Sequence, residues 1–170
     1  MDCPEIFHSV KFTYRYYPDS TMVELIPEYL FTKDKIKEHR LAMKSRVKKL
    51  ALLAEKLSEK EKELFIHDFI VKNVKYDKLK KEYSHEIIGA LGNGVAVCEG
   101  MAKAVKILCD ELGIWCIVAL SDANPDKGIK YRHAWNVIRI DGKYYHLDVT
   151  FDNTLSRDDA VSYDYVNLAD

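Results

Sequence analysis

The stretch HAWNVIRIDGKYYHLDVT, residues 133–150, decides the fold. At its centre Asp141-Gly142 is a strong hairpin-turn pair, because a two-residue turn of this kind needs positive φ at both positions. Strands over Arg132–Ile140 and Lys143–Val149 follow, and the turn fixes their register. Ile140 pairs with Lys143, and Asp148 falls opposite Trp135. Side chains alternate faces along a strand, so Ile138, Ile140, Tyr145, Leu147 and Val149 share one side and form a core face. His133, Trp135 and Val137 share the other side with Tyr144, His146, Asp148 and Thr150. His133 and Asp148 are then diagonal neighbours, about 7–8 Å apart at the backbone, a gap that an imidazole and a carboxylate can close. One hairpin thus presents a base together with a group to orient it.

Upstream of the hairpin, Cys98, Met101, Val105, Leu108 and Leu112 lie on one stripe of a helix over Cys98–Leu112, and Gly113 stands where a helix C′ glycine belongs. Gly94-Val95-Ala96-Val97 enters that helix in extended form. A thiol in the first turn of a helix meets unpaired N–H groups and the positive end of the dipole, both of which favour thiolate. Cys98 is also the first apolar residue of the stripe, which a structural role alone would explain. The conjunction favours chemistry: a cysteine at a helix start, followed by a hairpin carrying His and Asp, is the general Cys-His-Asp plan for nucleophilic catalysis. Trp135, on the same face, is the candidate for contact with substrate. Cys109 lies in the helix and Cys116 in a buried strand over Ile114–Leu120, where both read as small core residues; Cys3 is terminal and uninformative. The polar loop over Ser121–Lys130 borders the site.

The rest of the chain supplies helices and one strand. Val10–Tyr16 alternates as a half-buried strand. Met22–Phe31 is ambiguous because Pro27 interrupts it. A long amphipathic helix is predicted over Thr32–Leu57, with Ile36, Met43, Val47, Leu50 and Leu57 near one face. Ser58 and Glu61 form a capping box that starts another helix, ending near Asn73. Ser84–Leu91 reads as a short helix before a glycine-rich turn. Past Thr150 the chain is polar until a strand candidate over Tyr163–Leu168.

Composition narrows the function classes. The 170 residues are 48% apolar, enough for one sizeable core, and the formal net charge is −1, so no overall field recruits nucleic acid or an anionic membrane. The lysines between Lys33 and Lys62 sit at helical spacing and read as a solvated face. No apolar run approaches the roughly 20 residues of a membrane span, and Met1–Tyr17 lacks a leader pattern, which leaves the compartment open. The cysteine spacings match neither a zinc site nor a disulfide framework. Cys98, His133, His146 and Asp148 lack ligand-pair spacing, and Asp152, Asp158 and Asp159 lack calcium-loop spacing and read as a solvated loop, so neither metal nor cofactor is expected. His67-Asp68 reads as a structural pair.

Three segments also resemble, in order, the signatures of the transglutaminase-like superfamily, especially its bacterial protease-like members: Gly94-Val95-Ala96-Val97-Cys98-Glu99-Gly100-Met101-Ala102, His133-Ala134-Trp135-Asn136 and Tyr145-His146-Leu147-Asp148-Val149-Thr150. Ile66-His67-Asp68-Phe69-Ile70 and Asn73-Val74-Lys75-Tyr76-Asp77 are similar to the helix preceding that core, and Tyr165-Val166-Asn167-Leu168 to its closing strand. Met101 stands where many relatives carry tyrosine, and Phe151-Asp152-Asn153 where Trp-Asp-Asp is common. The resemblance implies an α+β, papain-like fold, with the nucleophile helix packed on an antiparallel sheet. A single domain over 1–170 is expected, 1–57 being an N-terminal strand-and-helix extension and 58–170 the core. The implied activity is that of a cysteine hydrolase, of protease or deamidase type, or an acyltransferase, acting through a thioester on peptide or protein carboxamides. The residues leave water or an amine open as acceptor, and they leave open a silent peptide-binding module that keeps the fold.

Overall fold

The computed structural model describes residues 4, 9–124, 126, 130–157 and 160–169; Cys3, Asp158 and Asp159 lie outside them. The hairpin has the expected register. Strands β6 (His133–Ile140) and β7 (Lys143–Leu147) pair antiparallel with Ile140 opposite Lys143 and Asn136 opposite Leu147. Asp141 and Gly142 both have positive φ, 49° and 79°, as the two-residue turn requires. Strand β5 (Cys116–Ser121) adds antiparallel to the free edge of β6, giving the order β5-β6-β7. Ala134, Asn136, Ile138, Ile140 and Leu147 face inward and are buried. The expectation that Ile114–Leu120 forms a buried strand is corrected. Ile114 and Cys116 are buried, but Ile117 and Leu120, which alternate to opposite faces, are both exposed, because β5 is an outer strand of the sheet.

Helix α3 (Cys98–Glu111) lies against the inner face of this sheet, with α1 (Lys33–Ala54) and α2 (Glu59–Asn73) on its other sides. It is therefore wrapped more completely than a single apolar stripe implies: Ala102, Ala104, Lys103 and Lys106 are buried too. The lysines tolerate burial because each is paired. Lys103 Nζ lies 2.7 Å from Glu86 and 2.9 Å from Glu99, and Lys106 lies 2.6 Å from Asp110. The Asn136 side-chain amide donates to the Ala102 carbonyl at 3.0 Å and fastens the helix to β6. Gly113, at φ 73°, ends the helix.

The capping box before α2 is complete: the Glu61 N–H donates to Ser58 Oγ and the Ser58 N–H to Glu61 Oε2. Such a cap stabilises a helix by about 1 kcal/mol. Glu59 in the same first turn accepts the Asp141 N–H at 2.8 Å, tying α2 to the hairpin turn.

The short helix expected over Ser84–Leu91 is replaced by a 3-10 turn (Glu82–His85) and a π-type turn (Ile88–Asn93). Just ahead of the first turn, the buried Asp77 carboxylate accepts the N–H groups of Leu79 and Lys81 and the Ser84 hydroxyl, and so holds the approach to it. On either side of the turns, β3 (Lys75–Tyr76) and β4 (Val95–Ala96) form a short parallel pair that the sequence did not suggest.

Further corrections concern the segments before and after this core. Past β7, a helix α4 (Val149–Leu155) occupies what reads as a polar loop, and Asp152 in it is fully buried, contrary to its reading as solvated. The predicted strand Tyr163–Leu168 is reduced to one bridge, His146 to Leu168. At the other end, β1 (Ser9–Tyr16) pairs with β2 (Val23–Tyr29) through the supposedly disruptive Pro27. A two-stranded ribbon tolerates a proline that a central strand would not. That hairpin is not half-buried: Tyr14 and Met22 are each 72% exposed, and Phe12, Tyr16, Val23 and Leu25 are exposed as well.

The chain ahead of Cys98 is held by close backbone approach. Val97 N–H donates to the Ser84 carbonyl at 3.0 Å, and a Cβ on Gly100 would come within 2.2 Å of that oxygen. Gly100→Ala must push the turn away from α3. A loss of about 1–3 kcal/mol is expected, the usual overpacking cost, measured by urea denaturation; an unchanged midpoint would show that the turn gives way freely.

Candidate active site

Cys98 is the first residue of α3, preceded by extended Val97, so its thiol lies among the unpaired N–H groups of a helix start. It is half-buried. Burial pushes its pKa up, but hydrogen bonds from His133 and from the Ala134 N–H, the positive charge of His133 and a hydrogen bond from the Glu99 N–H outweigh this and bring the thiol below its ordinary value. β6 thus supplies both the imidazole and a backbone donor to the sulfur.

His133 Nε2 lies 2.5 Å from Asp148 Oδ2, which leaves Nδ1 for the sulfur. The hydrogen bond to Asp148 and then that to Cys98 lift the imidazole to about 9, against the opposing effect of burial. The structure therefore brings Cys98, His133 and Asp148 together. The parity argument for the hairpin holds, with one refinement: β7 ends at Leu147, and Asp148 is the N-cap of α4. Its Oδ1 accepts the N–H groups of Thr150 and Phe151 at 3.0 and 3.1 Å, while Oδ2 serves His133.

Two aromatic rings pack against the imidazole. Trp135 is near-parallel to it, at 5.9 Å between centroids and 14° between planes, and its indole N–H donates to His146 Nδ1 at 2.9 Å. Phe151 also packs on the imidazole, at 4.6 Å between centroids and 32° between planes, and in turn contacts Tyr165 at 4.9 Å. Trp135 is thus partly committed to shaping the site. Sequence reasoning missed Phe151 and Tyr165 because the helix that carries Phe151 was not foreseen. The His133 side chain is 22% exposed and that of Asp148 9%, so the base is reachable while its orienting group is covered.

Behind the site, fully buried His67 bonds to Asp68 at 3.2 Å and to Asp152 in α4 at 3.1 Å. It is a structural residue, as expected, but with a partner 85 positions away. Among the described residues no cluster of three or more potential ligands could hold a metal, and no helix is long and apolar enough to cross a membrane. A cleft of about 800 Å³ between α1 and α3 is lined by residues such as Ile36, Arg40, Met43 and Asp110, and by none of Cys98, His133 or Asp148.

The lowered thiol and raised imidazole together define a pH window in which both are charged. Iodoacetamide should label Cys98 at a rate that stays level well below the ordinary cysteine pKa, while Cys109 stays silent. The Cys109 thiol is pushed well above its usual value by its hydrogen bond to Cys116 and by burial. Because the His133 pKa is raised from 6.5 to about 9, its contribution to stability is complete below pH 6.5 and lost as pH rises through about 9. Thermal denaturation of wild type and His133→Ala between pH 6 and 10 should show this alkaline loss in the wild type alone.

No functionally curated protein matches the chain. Among solved structures it is similar to that of a TGase, at 15% identity and a TM-score of 0.57, over 92% of this chain and 48% of that one. It is also similar to a candidate cysteine protease from Cytophaga hutchinsonii, at 25% identity and a TM-score of 0.46, over 61% of this chain and 37% of that one. A third is a candidate protease from Parabacteroides distasonis, at 16% identity and a TM-score of 0.44, over 81% and 35%. The chain spans about half of the first structure's length and less of the others. The first likeness concerns the fold. The family model of the transglutaminase-like superfamily matches residues 48–149, which take in Cys98, His133 and Asp148. With most of its length matched by that model, the chain belongs to the transglutaminase-like superfamily.

Proposed function

We propose that the chain is a cysteine enzyme that cleaves or transfers carboxamide groups of peptides or proteins, with Cys98 as nucleophile, His133 as base and acid, and Asp148 as the group that orients His133. The observation that carries this reading is the His133 ring itself. One nitrogen is taken by Asp148, the other is directed at a thiol in the first turn of a helix, and both groups are shifted toward their charged forms. A structural cysteine gains nothing from such surroundings. Superfamily membership supports cysteine-based hydrolase or acyltransferase chemistry at the level of the family.

In this reading the Cys98 thiolate attacks the amide carbonyl carbon, and the carbonyl oxygen becomes an oxyanion held in part by the Cys98 backbone N–H. The C–N bond then breaks as His133 passes its proton to the departing amine, leaving a thioester on Cys98. In hydrolysis, water gives a proton to His133 as its oxygen attacks the thioester; the C–S bond breaks and the carboxylic acid leaves. An amine in the place of water gives a new amide. Hydrolysis is preferred, because the sequence signatures resemble those of protease-like members.

Cys98→Ala should abolish turnover of any amide substrate found by screening while changing stability by about 1 kcal/mol. His133→Ala should match it, and the double variant should be no worse, because groups acting as one unit are not additive. Asp148→Asn should lower turnover by about 10²–10⁴-fold. Its single oxygen cannot serve the α4 cap and His133 together, so the variant should also melt earlier. Full activity in Cys98→Ala would overturn Cys98 as the nucleophile, whereas no turnover in the wild type, with peptide binding unchanged when all three residues are replaced, would favour the alternative of a silent peptide-binding module.

A further inference from the structure

An oxyanion is stabilised best by two donors, and the helix start at Cys98 accounts for one. The strand pair ahead of Cys98 points to the other. In the parallel ladder, Lys75 N–H donates to the Gly94 carbonyl at 2.8 Å and Asp77 N–H to that of Ala96 at 2.9 Å, which sets Tyr76 directly opposite Ala96. Directly opposed residues leave a sheet on the same side. The direction of that side is given by Ala96, whose Cβ lies 3.2 Å from where a Cβ on Gly100 would stand, in the first turn of α3. Tyr76 therefore leaves β3 toward the turn that carries Cys98. Its ring is partly buried against the core, and its hydroxyl donates to no acceptor among the described residues. Burial and then the charge of Cys98 raise its pKa, which places the phenol within electrostatic reach of the sulfur and keeps its proton on at neutral pH. The indole N–H groups are engaged or placed elsewhere: that of Trp135 is spent on His146, and Trp115 packs edge-on against Tyr144 of β7.

We propose that the Tyr76 hydroxyl is the second oxyanion donor, a catalytic residue that hydrogen-bonds the substrate carbonyl oxygen as Cys98 attacks. This rests on Cys98 being the nucleophile, and it assigns to β3 and β4 a task beyond delivering the chain to α3. A donor of this kind strengthens its bond only as charge develops on the oxygen, so it affects the acylation rate and not the reactivity of the thiolate.

Two reagents separate these. Acylation of Cys98 by 4-nitrophenyl acetate passes through an oxyanion, whereas alkylation by iodoacetamide does not. Tyr76→Phe should slow single-turnover acylation about 10²–10³-fold with the half-saturating ester concentration unchanged. Its iodoacetamide rate should stay within about twofold of wild type, which also shows that the site is folded. If Tyr76→Phe acylates at the wild-type rate, or slows both reactions equally, the assignment is wrong even with Cys98 as nucleophile. If Cys98→Ala releases 4-nitrophenol as fast as wild type, the nucleophile reading itself fails and the donor role goes with it.

Discussion

The Asp148 carboxylate is divided between two parts of the molecule, and much of the site depends on that division. One oxygen receives two backbone N–H groups and starts α4; the other holds the His133 ring. Because the same rigid group does both, the start of a helix fixes the direction of an imidazole. Phe151 follows three positions later, so the cap also places the ring that covers His133. The C-terminal segment closes over this arrangement through Asp152, which accepts the Ser162 hydroxyl and the Tyr165 N–H while bonded to His67 on α2. Loss of the cap would loosen the imidazole, its aromatic cover and the closing segment together.

Burial of charge in α3 follows a related logic. Glu99 is next to Cys98 and would, as an unpaired carboxylate, oppose a thiolate. Burial alone would raise its pKa, but the His85 hydrogen bond and Lys103 hold it down to about 2. It is ionised, yet its charge is matched by Lys103 one turn along the helix, and His85 shares a hydrogen bond with it. The remaining local positive charge, from His133 and the helix start, is left to act on sulfur.

How much of this the sequence disclosed depended on how local the governing contacts are. The Asp141-Gly142 turn, the Ser58–Glu61 cap and the Gly113 terminus are set by neighbouring residues, and from them the hairpin register and three long helices follow. The meeting of His133 and Asp148 was legible because it is a consequence of strand parity. Cys98 was legible from its place at a helix start. What escaped prediction is governed by long-range partners. Asp148 reads as a strand residue until its second role is known, so α4 and Phe151 were hidden. Asp152 reads as solvent-facing until His67, 85 positions earlier, is found beside it. Ahead of the turn at Glu82–His85, the Asp77 carboxylate gathers the N–H groups of Leu79 and Lys81 and the Ser84 hydroxyl, contacts that periodicity does not register.

The β1–β2 ribbon bears on how the protein behaves at high concentration. Two exposed strands with aromatic side chains, and with no third strand beside them among the described residues, are a template for strands of other molecules, and such templates promote self-association unless something opposes it. Here the opposition is written into the same strands. Lys11 and Arg15 on one and Glu24 and Glu28 on the other place charge along the ribbon, and Pro27 withholds an N–H that a growing sheet would need. These residues act as gatekeepers: neutralising them would turn a surface ornament into a nucleus for aggregation without touching the core.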